Sequence, residues 1–180
     1  MTAEPAAVAP VLPKALRERI IAEFPKYPEK RAVLLSALHF VQDTFEGWIP
    51  KEVVPEVADL LELKPIEVWE VIHFYAMFNS EPVGRCHLRV CTNLSCCLQG
   101  ARGIMGQLEK MLAVRPGEVT PDGNFSVGEV ECLGSCGTAP VIQVNNERYR
   151  ENLSGDDLLG LLEELRARLA AQDAAKDGEG

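Results

Sequence analysis

Cys86-His-Leu-Arg-Val-Cys91-Thr-Asn-Leu-Ser-Cys96 is the stretch on which the reading of this chain turns. His87, Arg89 and Cys91 alternate with Leu88, Val90 and Thr92, the period-two pattern of a strand with two different faces. The strand runs directly into a cysteine pair, Cys91 and Cys96, with four residues between its members. A second pair, Cys132-Leu-Gly-Ser-Cys136, follows after 35 intervening residues and again ends an alternating segment, residues 125–132. Two strands that each end in a cysteine pair bring four thiolates to one edge of a sheet.

Between the pairs, residues 99–113 return to helical spacing through Ile104, Leu108, Met111 and Leu112. Gly103 and Gly106 each cost that helix about 1 kcal/mol relative to Ala. Thr120-Pro-Asp-Gly-Asn124 reads as a turn, and residues 141–144 and 148–151 flank Asn145-Asn146 as a hairpin. Ser154 is placed to cap a last amphipathic helix carrying Leu158, Leu162, Leu165 and Leu169, with Asp156 and Asp157 in its first turn. The order β-α-β-β-β-α describes an α/β unit whose helices cover a small sheet.

Upstream the pattern is different. Over residues 14–78 the apolar spacing is helical, as in Leu16, Ile20 and Phe24, then Val33, Ala37, Leu38 and Val41, then Val54, Val57, Ala58 and Leu61. Breaks fall at 25–28, 47–50 and 64–65; Pro55 and Pro65 belong in first turns, and Glu67 suits a positive helix end. The fold class is therefore α+β: an N-terminal helical bundle over 14–80 and an α/β domain over 81–170. The Ala/Pro-rich segment 1–13 and the small, acidic segment 171–180 read as solvated, disordered tails.

Composition narrows the function. The 180 residues carry 27 acidic against 18 basic side chains, a net charge of −9, with no run of Lys or Arg among aromatics, so nucleic acid is excluded as a partner. No apolar stretch reaches the roughly 18 to 20 residues that span a bilayer, and the start lacks an export signal, which predicts an unexported protein with no membrane insertion. Six cysteines in such a chain serve as thiolates for metal or redox chemistry rather than as disulfides. Residues 81–151 hold eight acidic and seven basic residues, so the cysteine region is nearly neutral.

Four thiolates on loops that follow strands suit an iron–sulfur cluster, with Gly134, Gly137, Ser95 and Ser135 letting the backbone approach the bridging sulfides. Leu94, Leu98 and Leu133 would surround it with apolar groups, oppose added charge and lower its potential. Spacing leaves two other readings open: a four-cysteine structural zinc site, and buried unligated thiols. No C-x-x-C is present for a thioredoxin-type dithiol reaction. Cys86 and Cys97 read as spectators, and His39, His73 and His87 lack a partner at ligand spacing. Gly100, Gly103 and Gly106 lack the features of a dinucleotide-binding loop. Trp69, Phe74, Tyr75 and Phe78 read as helical core or seam.

The chain resembles a known family through Phe74-Tyr75-Ala-Met-Phe-Asn79, Pro82-Val-Gly-Arg-Cys-His87, Val90-Cys-Thr92, Thr120-Pro-Asp-Gly123, Val130-Glu-Cys-Leu-Gly-Ser-Cys136 and Ala139-Pro140. It is similar over about 14–166 to the thioredoxin-like 2Fe-2S ferredoxin (E) subunits of respiratory complex I, NADH:quinone oxidoreductase. Related subunits occur in NAD-reducing hydrogenases and NAD-dependent formate dehydrogenases. The resemblance implies a thioredoxin-like cluster domain, one 2Fe-2S cluster, and ligation by Cys91, Cys96, Cys132 and Cys136. It also implies a one-electron carrier, non-catalytic alone, docked to a flavoprotein subunit that carries FMN and binds NADH. Further complex I subunits would hold it at the cytoplasmic face of a bacterial inner membrane. His73, Cys97 and the Gly103/Gly106 pair depart from the family pattern.

Overall fold

The computed structural model describes residues 12–177. Of the expected tails, residues 1–11 and 178–180 lie outside the described residues. Elsewhere the tail assignments are corrected. Leu12 is only 3% exposed, and its N–H donates to Glu56 Oε2 at 3.1 Å. At the other end the final helix runs on to Asp177, because the Ala-rich sequence beyond Leu169 favours helix even without an apolar stripe.

The chain divides into two compact units between Pro82 and Val83. The first is helical: α1 (Lys14–Ile21), α2 (Leu34–Thr44), α3 (Val54–Leu61) and α4 (Pro65–Phe74). Short 3₁₀ turns at Phe24–Lys26 and Lys30–Val33 fill the break between α1 and α2. Pro55 and Pro65 occupy first turns, where their missing N–H costs no helical bond. Glu67 accepts the Lys64 N–H at 3.0 Å and closes the start of α4. Ile20, Leu38, Val57 and Leu61 lie at the centre of a core separate from that of the second unit. Buried Gln42 donates to the Met77 carbonyl at 3.0 Å and accepts the Asn79 N–H at 2.8 Å, tying the segment after α4 back onto α2.

Phe78 is buried as expected of the aromatic group, whereas Phe74 is 79% exposed. The helix itself explains the difference. Phe74 follows the buried Ile72 by two residues, about 200° round an α-helix, on the opposite face.

The second unit contains β1 (Cys86–Cys91), α5 (Leu94–Leu98), α6 (Ala101–Leu112), β2 (Phe125–Val130), β3 (Ile142–Val144), β4 (Arg148–Arg150) and α7 (Asp157–Asp177). The sheet order is β2-β1-β3-β4, with β1 parallel to β2 and antiparallel to β3. Leu88 pairs with Val127 on one side and Val144 on the other, so one face of the sheet is continuously apolar. That face packs with Ile104 and Leu108 of α6 and with Leu158, Leu162 and Leu165 of α7 in a single core.

The opposite face carries His87, Arg89 and Ser126. Ser126 Oγ accepts the Gly84 N–H at 2.8 Å and lies 2.7 Å from His87 Nδ1. A Cβ at Gly84 would fall 2.3 Å from the Phe125 carbonyl carbon, so only glycine allows this approach.

Helix α6 forms unbroken through Gly103 and Gly106 because its buried stripe outweighs their propensity cost. Helix α5 was not legible as an element. Five residues are too few to show a period, although Asn93 supplies a cap by accepting the Leu94 N–H at 2.7 Å. Ser154 is also corrected: it stands three residues before α7, and its hydroxyl donates to Asp157 at 2.6 Å instead of capping the helix N–H groups. No helix among the described residues is long and apolar enough to cross a membrane.

Candidate metal centre

Parallel pairing of β1 and β2 sets the site. Cys91 is the last residue of β1 and pairs in register with Val130, the last of β2, so both strands stop at the same edge. Cys96 follows Cys91 on α5, Cys132 lies two residues beyond β2, and Cys136 begins the 3₁₀ turn Cys136–Thr138. The topology thus brings both cysteine pairs to the carboxyl ends of two adjacent strands. Cys91 and Cys96 are buried, while Cys132 and Cys136 are exposed, and all six cysteines are free thiols.

The electrostatics link the two pairs. Burial pushes the Cys96 thiol up from its ordinary value, as do its hydrogen bond with Cys91 and the nearby Cys91 and Cys136 thiols, while the Val141 backbone opposes the shift. Cys96 thus senses Cys91 of its own pair and Cys136 of the other. The second loop supplies its own donor, since the Gly134 N–H points at Cys132 Sγ at 3.4 Å. Gly134 has φ of 74°, a left-handed conformation that glycine adopts without strain. The peptide between Ala139 and Pro140 is cis.

The remaining sequence candidates lie elsewhere. Cys86 is fully buried at the start of β1, 3.4 Å from an Arg168 guanidinium nitrogen. The Cys97 thiol donates to the Thr92 carbonyl at 3.0 Å. His39 meets the Phe78 ring at a tilted angle of 57°, His73 contacts the Trp69 carbonyl and His87 contacts Ser126, so each histidine is engaged in local packing. Leu94 and Leu98, expected as apolar neighbours of the sulfurs, are mostly exposed; Leu133 does pack against the core.

Four thiols on backbone-rich loops are a donor set that fits a two-iron cluster, which asks for two thiolates at each iron. Among the described residues, no three His, Cys, Asp or Glu side chains are gathered closely enough to hold a single ion. The same four sulfurs would also serve a structural zinc site.

Sequence inspection missed the residues that hold the second loop. Glu151 Oε1 accepts from Ser135 Oγ and Thr138 Oγ1, and Tyr149 Oη donates to the Leu133 carbonyl. Their signal was confined to a hairpin whose nearness to the loop depends on the strand order.

Residues 18–166 match the family model of the thioredoxin-like [2Fe-2S] ferredoxins. NADH-quinone oxidoreductase subunit 2 of Thermus thermophilus is 49% identical over 146 residues, covering 80% of each chain. An E-type NADH-quinone oxidoreductase subunit of Rhizobium meliloti is 43% identical over 152 residues, 84% of this chain and 89% of that one. In crystal structures of a NAD+-reducing [NiFe]-hydrogenase, the air-oxidized form superposes with a TM-score of 0.62 at 24% identity over 75% of this chain. This chain spans only 23% of the hydrogenase chain, and the likeness is one of fold.

Proposed function

Because the chain belongs to the thioredoxin-like [2Fe-2S] ferredoxin family, we propose that it is the one-electron carrier subunit of an NADH:quinone oxidoreductase, exchanging electrons with the FMN of a flavoprotein partner. Cys91 and Cys96 hold one iron in this proposal, and Cys132 and Cys136 hold the other. The observation that carries it is the in-register end of β1 and β2, which makes neighbours of cysteine pairs far apart in sequence. When bound, the 2Fe-2S group supplies reversible uptake of one electron without a proton or hydride.

The chain's own residues prepare the site for that charge. Gly134 and Val141 direct backbone N–H groups at sulfur, a hydrogen bond that stabilises added negative charge at no cost in side-chain ordering. Burial of Cys91 and Cys96 shields the inner pair from water, and exposure of Cys132 and Cys136 gives the outer pair an open edge toward a partner. NADH delivers two electrons together as hydride, so a flavin must divide the pair before a one-electron carrier takes part. The FMN and the NADH site are assigned to the partner subunit, and the chain is non-catalytic alone. In the complex it sits peripherally at the cytoplasmic face of the inner membrane, beside further complex I subunits. An equivalent subunit of a NAD-reducing hydrogenase is the second reading, favoured by the fold likeness to that enzyme; a formate dehydrogenase subunit is of the same kind.

The test is the visible spectrum of anaerobically purified protein. Wild type is expected to show the colour of a 2Fe-2S cluster; Cys136→Ala abolishes it, whereas Cys86→Ala and Cys97→Ala retain it. A colourless, zinc-loaded wild type, or an unchanged spectrum in Cys136→Ala, overturns the assignment.

A further inference from the structure

The loop carrying Cys132 and Cys136 is gripped from outside by the end of β4. Glu151 Oε1 accepts from Ser135 Oγ at 2.5 Å and from Thr138 Oγ1 at 2.9 Å. The two hydroxyl oxygens are themselves 2.6 Å apart, so one carboxylate oxygen gathers both sides of Cys136. Tyr149 Oη donates to the Leu133 carbonyl at 2.9 Å, and the Asn152 N–H donates to the Thr138 carbonyl at 2.8 Å. Four contacts from residues 149–152 thus flank both cysteines without touching either sulfur.

This grip is not a by-product of core packing. Tyr149 and Glu151 are both exposed, and neither belongs to the core of the unit. The Ser135 hydroxyl first, and then that of Thr138, holds the Glu151 carboxyl below the usual carboxylate range, so it carries its charge at neutral pH. An added electron at this sheet edge meets that charge, and the potential of an iron–sulfur site responds to neighbouring charge and hydrogen bonding.

We propose that Glu151 is a positioning residue for the cysteine loop, fixing residues 132–138 for ligation while placing a negative charge that lowers the reduction potential of the cluster. The inference rests on the 2Fe-2S reading of the site. Its two effects separate by substitution. Glu151→Gln keeps an acceptor oxygen and removes the charge; Glu151→Ala removes both. Tyr149→Phe removes one contact and leaves the charge.

The experiment uses the full chain purified anaerobically with its cluster, with reduction potential measured by redox titration and cluster loss measured as bleaching in excess chelator. Potential should rise in Glu151→Gln and Glu151→Ala and stay at the wild-type value in Tyr149→Phe. Cluster loss should be fastest in Glu151→Ala, by about tenfold, intermediate in Tyr149→Phe, and within about twofold of wild type in Glu151→Gln, given the modest worth of exposed polar contacts. An unchanged potential in Glu151→Gln overturns the electrostatic role, and a wild-type rate of loss in both Glu151→Ala and Tyr149→Phe overturns the positioning role. Absence of colour in the wild type would instead defeat the cluster reading itself.

Discussion

Gly134 shows how a single backbone angle serves the site. Its φ of 74° turns its N–H toward Cys132 Sγ, and a Cβ there would meet open space, so Gly134→Ala carries only the backbone strain, about 1–2 kcal/mol. That variant should fold, keep its cluster spectrum when fresh, and bleach faster in chelator; equal bleaching would show that the turn is not strained. His87 offers a pH prediction independent of the cluster. Burial and then the Arg89 guanidinium push it down to about 4, against a hydrogen bond with Ser126 that opposes the shift. Between about pH 6.5 and 4 the unfolded chain takes up a proton that the folded chain refuses, so stability is complete above that window and falls through it, by at most about 1.4 kcal/mol per pH unit. Hydrogen exchange at the β1 and β2 amides should show this loss in wild type, and the slope should flatten in His87→Gln. The four candidate cysteines could be picked out from spacing, because strand period and cysteine pairing are both local. Glu151 could not, since nothing in its own neighbourhood distinguishes it from a solvated strand residue until β4 is placed beside the loop.

At the scale of elements, the long periodic segments were readable and the short or irregular ones were not. β1, β2, α6 and α7 each carry a stripe of apolar residues that reports its own geometry. The five residues of α5 carry none, and the end of α7 beyond Leu169 is set by Ala propensity rather than by any buried face. Phe74 misled for the same reason as α5: an aromatic near a helix end says little about facing until the register of α4 is known. The buried stripe also predicts where stability resides. Leu108, fully buried on α6 against the sheet, should cost about 2–5 kcal/mol when replaced by Ala, measured by urea unfolding of the second unit. The cysteine loops behave differently. With the cluster removed, thiolates brought together at 91–98 and 131–139 must protonate or repel, because ligand binding and local folding are coupled. Hydrogen exchange should therefore show lost protection in those loops on going from holo to apo protein, with α6 and α7 unaffected. Equal protection in both states would contradict it.

For the whole molecule, the separation into two units with independent cores has a direct consequence. The helical unit buries its own apolar faces and should keep its helical signal when the cluster is lost from the second unit. Division of labour extends to the proposed complex as well. Gly100 stands at the start of α6, and Gly103 and Gly106 lie within it. Consistent with an electron carrier, the isolated chain should be reduced by dithionite and not by NADH, and addition of the flavoprotein partner should make NADH effective. The most direct measurement is an anaerobic reductive titration of the isolated, flavin-free chain followed by its visible and electron paramagnetic resonance spectra. Bleaching is expected to be complete at one electron per chain, with a paramagnetic signal from the reduced two-iron centre and no response to NADH alone. A chain that takes up no electron from dithionite, or is bleached rapidly by NADH without a partner, would contradict it.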